Sequence, residues 1–234
     1  MKHFELPDLK NRAMNPTMLE KILQDLSPHQ ATLVAVSKTK PKEAILALYE
    51  KGQLDFGENR VQEFGTKVDV LPKDIRWHFI GHLQTNKVKY VVPSVYLIHS
   101  VDSFKVLREI NKQARRNDRV VNCLLQFKIA EEDTKYGFDW SAVEEMLNNP
   151  GFNELKNVHI LGVMGMATFT DDKVQIRREF QQLKRFFDRL KENYFAEQDD
   201  FKEISMGMSD DYPIALEEGS TMVRVGSLLF GRRP

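Results

Sequence analysis

Two spacings of apolar residues alternate along the chain. Short runs rich in β-branched and aromatic residues stand at 32–37, 54–56, 76–80, 95–99, 120–127, 159–163, 203–205 and 222–225, with the length and composition of strands. Between them apolar residues recur three and four apart, the spacing of one helix face. Pro41-Lys42-Glu43 opens such a stretch with a proline suited to a first helical turn. Ile45, Leu46, Leu48 and Tyr49 continue it, and Gly52 stops it. Ser103 is placed to cap a helix carrying Val106, Leu107 and Ile110 on one side. The longest helix is expected from about 172 to 193, with Val174, Ile176, Phe180, Leu183, Phe186, Phe187 and Leu190 as its apolar stripe. A shorter helix is expected over 18–26.

Eight strands alternating with helices predict an α/β protein, a single-domain (β/α)8 barrel of the TIM type; an open doubly wound sheet is the alternative. No GxGxxG lies at a strand-to-helix turn, and 234 residues approach the roughly 250 of a typical barrel. The expected organisation is a variable helical extension over 1–30 and the barrel over 31–234.

Composition narrows the function. Lys+Arg and Asp+Glu both number 34, so there is no basic excess for nucleic acid. The pairs Arg115-Arg116 and Arg177-Arg178 sit among acidic residues, as on solvated helix faces. No stretch approaches the roughly 20 apolar residues of a membrane span, and the start lacks an apolar leader. Cys123, the one cysteine, lies in an apolar run and reads as a buried inert thiol. A cytoplasmic monomer is expected, with no metal.

The first strand, however, runs into a lysine: Ala35-Val36-Ser37-Lys38-Thr39-Lys40-Pro41. Barrel enzymes place their chemistry where strands end. If Val34 and Val36 point inward, Lys38 does too; the opposite parity puts Leu33, Ala35 and Ser37 inside. Lys40, next to Pro41, is expected to face solvent. A lysine at an apolar mouth loses hydration, which favours the neutral amine, a nucleophile toward carbonyl carbon. A lysine that snorkels its charge into water is the plainer reading.

The last two strands supply further residues. After the seventh come Met206-Gly207-Met208-Ser209-Asp210-Asp211, where Ser209 can cap a helix over 210–218 and face an anion. After the eighth, Gly226 and Ser227 can present two N–H groups and a hydroxyl. Barrels often bind phosphate at these two loops. Arg224 lies within the eighth strand, where it needs a partner: a barrel carboxylate, or a ligand at the mouth. An amine, a phosphate cradle and an arginine suit a phosphorylated aldehyde such as pyridoxal 5′-phosphate (PLP), which needs an imine lysine and a partner for its ring nitrogen.

The same residues carry a family resemblance. AVSKTKP (35–41), FGENRVQE (56–63), WHFIGHLQTNK (77–87), KYGF (135–138), LGVMGMA (161–167), MGMSDD (206–211) and GSTMVRVGSLLFG (219–231) resemble the YggS-type pyridoxal phosphate homeostasis proteins, single-domain barrels similar to the N-terminal domain of alanine racemase (PLP fold type III). The resemblance implies Lys38 as the Schiff-base lysine, Ser209, Gly226 and Ser227 at the phosphate, Arg224 at the pyridine nitrogen and Asn59 lining the pocket. Relatives more often carry threonine at 227; serine keeps the hydroxyl. It also implies a carrier or regulator of PLP (vitamin B6) and amino-acid pools, with amino acids and PLP-requiring apoenzymes as partners and no established catalytic residue.

A weakly active PLP-dependent amino-acid racemase is the alternative. Alanine racemases add a second domain bearing a tyrosine, and only three residues follow Gly231, which disfavours two-base racemisation. A Schiff-base aldolase would need a carboxylate in the mouth, for which Glu58 is the candidate. A scaffold binding partners through 172–193 is a fourth reading. His82 is expected near the mouth, His78 in packing, and Met164 and Met166 in the barrel core.

Overall fold

The computed structural model of the chain describes residues 16–132 and 136–231. Lys135 of the KYGF stretch and the first 15 residues lie outside them. Eight parallel strands, β1 (Thr32–Val36), β2 (Asp55–Glu58), β3 (Arg76–Phe79), β4 (Leu97–Val101), β5 (Val121–Phe127), β6 (Val158–Gly165), β7 (Glu203–Ser205) and β8 (Met222–Val225), close into a barrel in chain order, with β8 against β1. The helices are α1 (Pro16–Leu26), α2 (Lys42–Tyr49), α3 (Val61–Val70), α4 (Val88–Val91), α5 (Phe104–Arg116), α6 (Trp140–Asn148), α7 (Lys173–Asn193), α8 (Tyr212–Glu217) and α9 (Ser227–Phe230).

Several of these follow directly from local chemistry. Ser103 accepts from the Val106 N–H and caps α5. Asp172 accepts from the N–H groups of Val174 and Gln175 and starts α7. That helix buries Ile176, Phe180, Leu183 and Leu190 along one side, while Val174 stays exposed. Helix α1 adds Leu19, Ile22 and Leu26 to the same core that the strands and outer helices share. Cys123 is buried there and unpaired, and burial pushes its thiol pKa up. Among the described residues no helix is long and apolar enough to cross a membrane.

Two layers separate cleanly. Leu33, Ala35, Phe56, Ile98, Cys123, Val163, Ile204 and Val223 face the helices. Val34, Leu97, Leu124, Met164 and Met222 fill one side of the barrel interior, with Met166 packed on them. Val34 is therefore inward, as the first parity requires.

Strand ends differ from the expectation where a side chain has a tertiary partner. β2 extends through Gly57 and Glu58 because Gly57 lies where a Cβ would sit 3.0 Å from Val34, and Glu58 bonds outward to Ser37. In β6 the register shifts beside Gly162, whose φ is +154° and whose missing Cβ would fall 1.8 Å from the Glu203 carbonyl oxygen. This β-bulge turns Met164 rather than Val163 into the barrel.

Candidate cofactor site

Because all eight strands are parallel, the loops after β1, β7 and β8 share one rim. Lys38 stands two residues beyond β1 and is half-buried. The turn that carries it is held on both sides. The Ser37 carbonyl accepts from Lys67 Nζ at 2.8 Å, and the Thr39 N–H donates to Glu63 Oε2 at 2.6 Å. Thr39 sits at φ +63°, a left-handed conformation that a β-branched residue adopts only when its surroundings impose it.

The holding residues come from α3 and from the end of β2. Lys67 Nζ also donates to Glu58 Oε1 at 2.6 Å, and the Ser37 hydroxyl donates to the same oxygen at 2.6 Å. Glu58 is fully buried, and burial raises its pKa against the opposing pull of Lys67 and Ser37. Glu58 thus faces α3 and is spent on the turn. It offers no base to the mouth, which removes the aldolase reading's carboxylate. Lys40 likewise departs from expectation: its ammonium donates to the Phe230 and Gly231 carbonyls at the end of α9 instead of facing water.

On the other side of the rim the β7 and β8 loops meet. The Gly226 N–H donates to Ser209 Oγ at 3.3 Å, and the Arg224 N–H donates to the Gly207 carbonyl at 3.0 Å. Ser209 does not cap a helix: α8 starts at Tyr212, after Asp211, whose carboxylate accepts from the Met208 N–H instead. Two glycines let backbone approach backbone here. A Cβ on Gly207 (φ +91°) would lie 2.6 Å from the Ala215 Cβ, and one on Gly226 would lie 3.1 Å from the Val36 carbonyl oxygen. Ser227 is exposed at the first position of α9. Val36 therefore ties the lysine's strand to the cradle, and a cavity of about 380 Å³ opens beside it, lined by Thr168, Phe169, Met208 and Asp211.

Arg224 lies inside the barrel, 4% exposed, paired in register with Val34. Its partner is no carboxylate: Nη1 donates to Ser205 Oγ at 2.6 Å and Nη2 to the Gly165 carbonyl at 3.0 Å. Burial lowers its pKa to about 10, with the Asp211 charge opposing; it stays protonated at neutral pH. Asn59 follows β2 on the same rim. Its buried Oδ1 has no hydrogen-bond partner among the described residues.

The wider comparison fits this geometry. Residues 19–234 match the family model "Alanine racemase, N-terminal domain". A pyridoxal phosphate homeostasis protein of Aquifex aeolicus is 41% identical over 204 residues, 87% of each chain. The chain belongs to the pyridoxal phosphate homeostasis protein family. PipY of Synechococcus elongatus, solved without PLP, superposes with a TM-score of 0.85 at 36% identity over 92% of this chain and 99% of that one. The same protein with PLP bound gives 0.81 at 35%, with the same coverage. The alanine racemase of Bartonella henselae shares the fold at 17% identity and a TM-score of 0.68, over 90% of this chain and 59% of that one.

Some residues around this rim were not legible in the sequence. Glu63 and Lys67 belong to an ordinary amphipathic helix pattern. Only the Glu63/Lys67 spacing of four hinted at a pair, and it gave no hint of Ser37. His78 is packed inside the barrel as expected, and it forms part of a polar string there with His99 and Ser205. Each follows an apolar residue of its strand that faces the helices, Trp77, Ile98 and Ile204, which is the signal that was available. His82 stacks on Tyr136 at 3.9 Å between centroids and bonds Asp102 at 2.8 Å, on the rim. Among the described residues no group of three or more His, Cys, Asp or Glu could hold a metal ion.

Proposed function

We propose that this chain binds PLP at the barrel mouth as a Schiff base on Lys38 and acts in PLP and amino-acid homeostasis as a carrier or regulator. The observation that carries this reading is the shared rim. A lysine on a clamped turn, a Ser209–Gly226 junction against the lysine's own strand, and a protonated arginine set deeper in the barrel stand together. The PLP-bound relative PipY supports it. The residues also fit the group: the orphaned Asn59 oxygen supplies polar lining for a hydroxylated ring.

In this reading PLP supplies an aldehyde and an electron-withdrawing ring. Lys38 would hold that group through its amine. Ser209 and Ser227 hydroxyls and the Gly226 and Ser227 N–H groups receive the phosphate. Arg224 would face the pyridine nitrogen. A guanidinium gives up no proton there, so the ring stays unprotonated and weak as an electron sink. That favours holding the cofactor over turnover. Because imine formation is reversible, the cofactor can pass on to apoenzymes. The proposal places a monomer in the cytoplasm, where a buried unpaired cysteine is at home.

Titrating PLP into the purified chain should give a yellow absorbance band saturating at one equivalent, and Lys38→Ala should abolish it. Ser209→Ala should keep the band with affinity weaker by about tenfold, the worth of one hydrogen bond to a charged group. A wild-type chain that stays colourless with excess PLP would sink the proposal. A racemase would instead invert alanine or serine over many turnovers, and none is expected.

A further inference from the structure

The polar half of the barrel interior forms a continuous chain. Asp55 Oδ1 meets His78 Nε2 at 2.9 Å, His78 Nδ1 meets His99 Nε2 at 2.8 Å, and His99 Nδ1 meets Ser205 Oγ at 2.9 Å. Ser205 Oγ accepts from Arg224. The far end, Asp55, is paired with Arg76, whose side chain is 44% exposed. A cavity of about 100 Å³ lined by Asp55, Arg76, His78 and Tyr96 opens there, at the strands' N-terminal ends. The chain therefore runs from the floor of the barrel to its mouth.

We propose that His99 and Ser205, oriented from the floor by His78 and Asp55, are positioning residues that fix the Arg224 guanidinium beneath the cofactor ring. This rests on the PLP reading above.

Proton placement follows from the partners. The Asp55 carboxylate only accepts, so His78 carries its proton on Nε2 and leaves Nδ1 bare. His99 Nε2–H must then donate to that nitrogen, which leaves His99 Nδ1 bare for the Ser205 hydroxyl. The Ser205 oxygen is then free to accept from Arg224. Every polar atom of the string is then satisfied in one direction. Burial, His78 and Arg224 all hold His99 well below its ordinary pKa, which agrees. The charged group facing Arg224 from α8's N-terminus is Asp211.

An apolar filling was available to the fold. Val34, Leu97, Leu124, Met164 and Met222 fill the neighbouring volume, and such residues commonly stabilise a core as well as a buried polar network does. What the polar string adds is direction. It keeps the serine hydroxyl turned away from Arg224, so the guanidinium meets an acceptor and holds one rotamer.

The test cuts the chain at three points and reads the PLP band. His99→Leu removes the relay, Ser205→Ala removes its last member with little change of volume, and Asp55→Asn acts at the opposite end of the barrel. With Arg76 holding the asparagine oxygen, its amide N–H faces His78 and reverses the whole chain. All three should still be trapped by borohydride on Lys38. Each should weaken PLP binding and displace the pH midpoint of the band, by roughly threefold and about half a pH unit. His99→Gln, which can donate and accept at once, should restore most of the loss. Folded Ser205→Ala and Asp55→Asn proteins with wild-type affinity and midpoint would overturn the inference. Absence of any Lys38 adduct in the wild type would instead mark failure of the PLP reading itself, and the inference would fall with it.

Discussion

Replacing Lys67 with methionine should lower the melting temperature by roughly 10 °C, the equivalent of about 3–5 kcal/mol for a chain of this size. Methionine fills the lysine's apolar volume, so packing is nearly kept. What is lost is the cation 2.6 Å from Glu58, a carboxylate with no exposed surface. Half of that carboxylate, Oε2, already lacks a partner. The loss should depend on pH in a definite direction. Burial raises the Glu58 pKa above its ordinary 4.5, and Lys67 is the largest opposing influence. Without Lys67 the folded state binds a proton at pH values where the unfolded state has released it. A group with a raised folded pKa contributes fully below its unfolded value, and that contribution is lost as pH rises. The gap between variant and wild type is therefore smallest near pH 4.5 and widens toward neutrality. Urea unfolding across that range checks it; a gap independent of pH contradicts the assignment. The variant also frees the Ser37 carbonyl, so PLP affinity should fall in the protein that remains folded.

Gly207→Ala should cost PLP affinity by tenfold or more while leaving the barrel closed. The left-handed backbone at φ +91° costs a non-glycine residue about 1–2 kcal/mol. The new methyl group would also lie 2.6 Å from the Ala215 Cβ and 3.0 Å from the Tyr212 Cα, closer than real contacts allow. The loop must move, and Ser209 moves with it, away from the Gly226 N–H. Gly226→Ala is the milder comparison, with 3.1 Å to the Val36 oxygen and no positive φ. Measuring both by PLP titration separates a displaced cradle from general damage: equal losses would contradict the role given to Gly207.

The barrel was legible because strand and helix periods alternate without interruption and because caps such as Ser103 and Asp172 are local. The rim was legible in part: the run from β1 into Lys38, and the glycine–serine turns after β7 and β8, stand out as turn chemistry. What escaped is what depends on tertiary partners. Glu58 reads as a mouth carboxylate until Lys67 and Ser37 are seen to occupy it. Lys40 reads as solvated until the last helix brings two carbonyls to its ammonium. Ser209 reads as a helix cap until Gly226 is seen to donate to it. The bulge at Gly162 breaks the two-residue period that assigns inward and outward faces. The histidine string shows locally only as single polar residues at inward strand positions; that they meet is a tertiary fact, because its members lie 21 and 106 residues apart.

One measurement bears most directly on Lys38. The chain loaded with PLP is reduced with borohydride, digested, and the modified peptide located by mass. A single pyridoxyl phosphate group on Lys38 is the predicted result, at close to one per chain. Modification at Lys40, scatter over surface lysines, or an unmodified Lys38 peptide would contradict it.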